Sequence, residues 1–443
     1  MKAKLIAAIM GLAAFASSAS VTISDIIVRQ QWPWNGKVNI DYVLSDPDDG
    51  VHDITVEMRN AGQVVTNEYG SLTGDLFGVK QGARRIVWDP FCNGATYSDK
   101  VMASFSVTLS TSDDAATYMV IDLSGGASAT EYPVTFTNMP PEGGWNQTIY
   151  KTDKLVLRRI PAGTGILGAP TDEIGYDARY QLQRKVMFTN DYSIAIFETT
   201  QKQFQNVMGY NASLWAPQDD KPVGYVNYQF LRGTNSFVKA SDQAGGTWPD
   251  HEATSFFGVL NSKLSADALS AAGFGDYEME LPTVSQWEYA CRAGTTGAWN
   301  NGTTITNELT DANAGLLSWY YKQANYLYAL PEVVGQKLPN AYGLYDMHGN
   351  IGEWTRDRAL NITTTSAWDG SDQIEPLKYE WRSNAYGYAF VCGGWYQQST
   401  GAASVRSSSA AQRQGDFDVK PNTTGANDTG PKYGFRIALT RKR

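Results

Sequence analysis

Two carboxylates, Asp346 and Glu353, stand at the two ends of a glycine-rich turn carrying Gly343, Gly349 and Gly352. Glycine adopts backbone shapes closed to other residues, so such a turn can point its carbonyls inward. Two carboxylates plus loop carbonyls form the oxygen set that a hard cation such as Ca²⁺ takes. The bland reading of the same pattern is a hydrogen-bonded turn capped by its own carboxylates.

The thiol and imidazole inventory is small. Cys92, Cys291 and Cys392 are the three cysteines. The odd count leaves at least one thiol free, and Cys291 with Cys392 is the first pair to test for a disulfide. There is no CxxC, so a thiolate zinc site is unsupported. His52, His251 and His348 are scattered along the chain. His348, inside the glycine-rich turn, reads as a surface residue rather than a base. No G-x-S-x-G elbow, phosphate loop or H-E-x-x-H occurs. The pairs Asp219 with Asp220 and Asp416 with Asp418 have the residue type of sugar-bond acids, but they read as solvated loop charges.

The elements that must hold these residues begin with the N-terminus. Lys2 and Lys4 precede a short apolar stretch from Leu5 to Phe15, and Ser17-x-Ala19 supplies small residues for cleavage. That is a secretory signal over residues 1–20, too short in its apolar part to span a membrane. No second stretch of spanning length follows. The expected location is secreted, periplasmic or at the cell surface. The chain has 443 residues, 42 glycines and 38 tyrosines plus tryptophans (25 + 13), the texture of a loop-rich globular protein. Its net charge of −9 repels phosphate backbones, which argues against a nucleic-acid partner.

Residues 21–110 show period-2 alternation in Val21–Val28, Lys37–Leu44, His52–Met58 and Val101–Leu109. Turn signals separate these runs, and the spacing predicts an all-β immunoglobulin-like sandwich. Trp32, Trp34 and Trp88 have the residue type of a sugar platform, but core and edge packing is the stronger reading. Residues 111–154 read as a connector with short strands, such as Thr117 to Leu123. From residue 155 onward, short helical signals sit between long irregular stretches. Thr200-Gln-Lys-Gln203 and Thr283-Val-Ser-Gln286 are capping boxes, with Gly209 and Gly294 placed to end their helices. A further helix is expected from Asp250 through Leu260.

Several blocks in residues 155–443 resemble one family in order and spacing. Leu281-Pro-Thr-Val-Ser-Gln-Trp-Glu-Tyr-Ala-Cys-Arg-Ala-Gly294 is similar to its helix motif, and Asn340–Trp354 to its longest signature. Gly393-Gly-Trp395 resembles its R-G-G-S-W block, and Tyr433-Gly-Phe-Arg-Ile437 its closing strand. Ile160–Gly163, Ile196–Thr200 and Lys221–Val226 fit its opening blocks. The family is that of the formylglycine-generating enzyme, or sulfatase-modifying factor. The resemblance implies an irregular, loop-rich α+β fold with a C-type-lectin-like core. It implies a structural calcium held by the side chains of Asp346 and Glu353 and the carbonyls of Gly349 and Ile351. A second calcium would begin at Asn325 and Tyr326, although the loop supplying its other ligands is shortened here to Leu327 through Val334.

The family's enzyme converts a substrate cysteine to formylglycine with copper and dioxygen, using two cysteines after the G-G-S block. The matching segment here, from Gly393 to Ser407, contains no cysteine; Gln397, Gln398 and Ala403 fall in that region. Copper is therefore not expected. Related oxidases with a three-histidine iron site need histidines this chain does not cluster. The leading expectation is a non-catalytic exported binding or scaffold protein. Its surface would be lined by Trp395, Tyr396, Gln397, Gln398, Arg406 and Arg413, for a protein, peptide or glycan ligand. The alternative is a true formylglycine-generating oxidase.

Overall fold

The computed structural model describes residues 21–30, 37–47, 49, 52, 54–60, 63–64, 72–75, 79–88, 105–111, 117–233, 250–320, 330–359, 373–374, 388–394, 402, 405–406, 410–414 and 433–442. The signal segment 1–20, Trp32, Trp34, Cys92, Asn325, Tyr326 and residues 395–398 lie outside the described residues.

The N-terminal region contains strands β1 (Thr22–Gln30), β2 (Val38–Ser45), β3 (Ile54–Asn60) and β4 (Gln63–Val64). It continues with β5 (Leu72–Gly74), β6 (Gly82–Trp88) and β7 (Phe105–Thr111). They form one antiparallel sheet in the order β1-β2-β6-β5 and a second in the order β4-β3-β7. Alternation decides which side chains go inside: Val38, Ile40, Tyr42 and Leu44 of β2 are buried, while the residues between them are not. Ile54, Val56 and Met58 of β3 and Leu109 of β7 join them in one core cluster. Trp88 is buried in that cluster, so it packs and is not a surface platform.

The remaining strands begin with β8 (Tyr118–Asp122), β9 (Val134–Thr137), β10 (Lys154–Ile160), β11 (Gly163–Leu167) and β12 (Arg184–Phe188). Then come β13 (Tyr192–Ala195), β14 (Tyr277–Glu280), β15 (Ser318–Trp319) and β16 (His348–Gly349). The last are β17 (Glu353–Ala359), β18 (Gln373–Ile374), β19 (Tyr388–Cys392), β20 (Ala410–Gln414), β21 (Gly434–Phe435) and β22 (Ala438–Arg441). The main sheet runs β14-β22-β13-β10-β8-β9. Strands β8 and β9, expected inside a connector, are full members of this sheet through β8–β10 pairing. The strands expected within 111–154 are thus hydrogen-bonded to the strands that follow them.

This sheet is covered on both faces. Tyr118 and Val120 of β8 and Val156 and Ile160 of β10 enter one apolar cluster. Their neighbours Met119, Ile121, Leu155 and Leu157 enter the opposite one. The fold is mixed and sheet-rich, with few and short helices.

Both capping boxes form as the sequence predicts. In the helix Gln201–Met208 the Thr200 hydroxyl accepts from Gln203 N–H, and Gly209 ends it at φ 80°. In the helix Val284–Arg292 Thr283 does the same with Gln286, and Ala293 then Gly294 take positive φ. The helix expected from Asp250 starts later, at Phe256–Ser262, because Ser255 is its N-cap. Among the described residues no helix is long and apolar enough to cross a membrane.

Candidate functional site

The turn Asn340–Trp354 is wound tightly. Gly343, Asp346, Gly349 and Asn350 all adopt positive φ. Asn340 anchors its start: its side-chain oxygen accepts from Tyr342 and Leu344 N–H, and its amide donates to the carbonyls of Ala290 and Cys291. That ties the turn to the C-terminal end of the helix Val284–Arg292. Gly349 is required by crowding as well as by φ. A Cβ there would stand 2.3 Å from Ser318 Oγ and 2.3 Å from the Trp319 carbonyl. The crowding arises because β16 lies alongside β15.

Three carboxylates converge on this turn. Asp346 is buried, and its Oδ2 accepts from Gly335 N–H at 2.6 Å. Its Oδ1 is buried with no hydrogen-bond partner. Burial raises the Asp346 carboxyl to about 6. Glu353 accepts from Trp287 Nε1 at 2.6 Å and from the Arg436 guanidinium at 2.8 Å. Glu198 accepts from Asn350 Nδ2 at 2.7 Å and from Ile351 N–H at 3.1 Å. Burial, reinforced by Asp346 and Glu353, pushes Glu198 well above the usual carboxylate range. Glu198 was missed as a site residue. Its signal was an acid inside the apolar run Ala195-Ile-Phe-Glu198, and it belongs to one of the matched opening blocks.

The carboxylate donor chemistry fits a hard cation at one oxygen outright, and at a second by sharing. Asp346 Oδ1 is a buried oxygen without a hydrogen-bond partner, which a cation would satisfy. Both Glu353 oxygens already accept hydrogen bonds, but a carboxylate has about four lone-pair sites and can serve a cation as well. Among the described residues no three or more His, Cys, Asp or Glu side chains gather closely enough to hold an ion by themselves. Carbonyls must therefore complete any such site.

A family model for the sulfatase-modifying factor enzyme 1-like domain matches residues 147–441. The chain belongs to this sulfatase-modifying factor family. "Chaperone protein LppX" of Paenibacillus barcinonensis is 26% identical over 264 residues, covering 57% of this chain and 81% of the relative. The formylglycine-generating enzyme of Mycobacterium tuberculosis is 35% identical over 86 residues. That match spans 17% of this chain and only 26% of the enzyme. Among solved structures, PvdO from Pseudomonas aeruginosa has 20% identity and a TM-score of 0.41, covering 64% of this chain and 94% of that one. Treponema denticola variable protein 1 has 22% identity and a TM-score of 0.41, covering 66% and 96%.

Three expectations for this sulfatase-modifying factor domain change. His348 is not at the surface: it is fully buried, and burial holds its pKa down at about 4. Its Nδ1–H donates to the Val405 carbonyl at 2.6 Å and its Nε2 accepts from Asn300 N–H at 3.3 Å. The neutral ring thus bridges two loops and is not poised as a base. Cys291 and Cys392 are both buried in the same apolar cluster and are not joined to each other as a disulfide. The Cys291 thiol instead faces the Met347 carbonyl at 3.8 Å and His348 Nε2 at 4.0 Å.

Arg406 is buried at 1% exposure and does not line an open surface. Its guanidinium pairs with Glu173 and donates to the Gly175 carbonyl and to Gln181. Arg413 lies in β20 opposite Ala389. The other expected ligand residues, Trp395, Tyr396, Gln397 and Gln398, lie outside the described residues, as do Asn325 and Tyr326.

Proposed function

We propose that this protein is an exported, non-catalytic polypeptide-binding or scaffold protein built on the sulfatase-modifying factor fold. The observation that carries this reading is the thiol chemistry. Copper(I) is a soft ion that needs thiolates, and no cysteine occurs from Gly393 to the C-terminus. Of the two described cysteines, Cys392 precedes that segment, and burial, with Glu288, Glu353 and Asp357 nearby, pushes its thiol well up and away from the thiolate form. The donors present therefore do not fit copper. The test is anaerobic Cu(I) titration together with aldehyde detection on a Cys-x-Pro-x-Arg peptide. Neither stoichiometric copper nor aldehyde is expected; both together would overturn the reading.

Two features support particular parts of it. The relative's designation as a chaperone protein makes polypeptide the first ligand class to test. The strand orders β1-β2-β6-β5 and β4-β3-β7 correspond to A-B-E-D and C′-C-F of an immunoglobulin-like sandwich, a common extracellular module. Structural Ca²⁺ at Asp346 and Glu353, with the Gly349 and Ile351 carbonyls, would rigidify the turn and take no part in a reaction.

The oxidase reading keeps one observation in its favour, the 35% identity to a formylglycine-generating enzyme over 86 residues. The copper titration decides between the two.

A further inference from the structure

A cavity of about 410 Å³ lies where the N-terminal sheets meet the sulfatase-modifying factor domain. From one side it is lined by the consecutive residues Ile54, Thr55, Val56 and Glu57 of β3, and from the other by the consecutive run 161–167, which includes β11. A strand that presents a face contributes every second residue. Unbroken runs mean that both strands border the cavity with their backbone edges.

Those edges have no ladder partner among the described residues. Strand β11 pairs on one side only, with β12. On its outer side β3 meets β4 at Arg59 and Asn60, and among the described residues Ile54–Met58 have no ladder partner there. Strand β5, whose Leu72 also lines the cavity, pairs only with β6. Two edges that are open among the described residues, those of β3 and β11, thus border one slot with Leu72 of β5 beside them, and open edges are rows of backbone donors and acceptors that require partners.

One wall of the slot is glycine-rich. Gly163 and Gly165 in β11 lie against Tyr289, where a Cβ would stand 2.7 Å from its hydroxyl and 2.8 Å from its ring. On that face β11 has no side chains of its own at these two positions, and the Tyr289 ring covers it. Leu72 and Ile166 offer apolar contacts, and the half-exposed Glu57, which is ion-paired with Arg59, borders the slot in a chain of net charge −9. An apolar small molecule would leave the edge groups unpaired. An extended peptide satisfies them by adding as a strand.

We propose that this slot binds an extended peptide segment of a partner protein, added as a strand to β11. Alternate apolar side chains of the peptide face Leu72 and Ile166, and basic or neutral ones leave past Glu57. The proposal rests on the polypeptide-binding reading above and gives it a location away from Gly393.

The test uses the full chain and a peptide of about seven residues, alternating Val and Thr, with a terminal Lys and a photoreactive group. The expected result is binding, with cross-links within residues 54–57 or 161–167. N-methylation of alternate peptide amides should weaken it about tenfold or more, the effect of one or two lost backbone hydrogen bonds. Cross-links elsewhere, or indifference to N-methylation, overturn the slot and leave polypeptide binding standing. So does capture of a reduced, carboxymethylated protein without capture of the peptide. Capture of neither overturns both the slot and the binding reading.

Discussion

Glu353 and Arg436 form an ion pair sealed from solvent, with Nη2 2.8 Å from Oε1 and side chains 1% and 0% exposed. Arg436 also donates to the carbonyls of Ala195 and Tyr345, so one guanidinium joins the glycine-rich turn to the central sheet. Removing one partner leaves an uncompensated buried charge, which costs about 3–5 kcal/mol. Glu353→Gln and Arg436→Gln should each lower stability by that amount in denaturant titrations. A loss below about 1 kcal/mol in either would show that the pair does not hold the turn.

The cation proposal predicts a stability that depends on calcium. At a free concentration about a hundredfold above the dissociation constant, a site specific to the folded state adds about 2.7 kcal/mol. Chelation should therefore lower the thermal midpoint by several degrees, and Asp346→Asn should abolish the response. An unchanged midpoint on chelation would show that Asp346 and Glu353 hold no structural calcium.

Glu280 makes a second buried network, with Arg232 at 2.8 Å and His251 at 3.0 Å. Burial alone would raise its pKa, but Arg232, His251 and Arg356 outweigh burial and hold the carboxyl far below the usual range. A folded-state pKa below the unfolded value of 4.5 makes its contribution complete above about pH 4.5 and lost as the pH falls further. The wild-type chain should lose stability in that acid range, and Glu280→Gln should flatten this part of the profile. A profile identical in both proteins would contradict the assignment.

Buried thiols should be silent in the native state. Cys291 and Cys392 should resist alkylation until the protein is unfolded, and then react fully. Peptide mapping by mass spectrometry reads each site separately. Native-state labelling of either, or recovery of a Cys291–Cys392 disulfide, would refute this placement.

The local signals in the chain were sufficient wherever the physics is local. A threonine three residues before a glutamine satisfies its own helix end, and so both capping boxes stand where they were read. Period-2 alternation in Lys37–Leu44 is a one-strand property, and β2 follows it. The ordered motifs were sufficient for the family too.

What only the tertiary structure decided are the partners of buried polar groups. Glu198 reaches Asn350 across 152 residues, and Arg406 reaches Glu173 across 233. A buried charge is held by whatever groups the fold brings to it, and nothing within a few residues of Arg406 or His348 signals that Glu173, Val405 or Asn300 will be there. The same holds for the edges of β3 and β11, which are open among the described residues. Strand β3 is legible by itself in the alternation of His52–Met58, but the slot it shares with β11 depends on how the N-terminal sheets pack against the later domain.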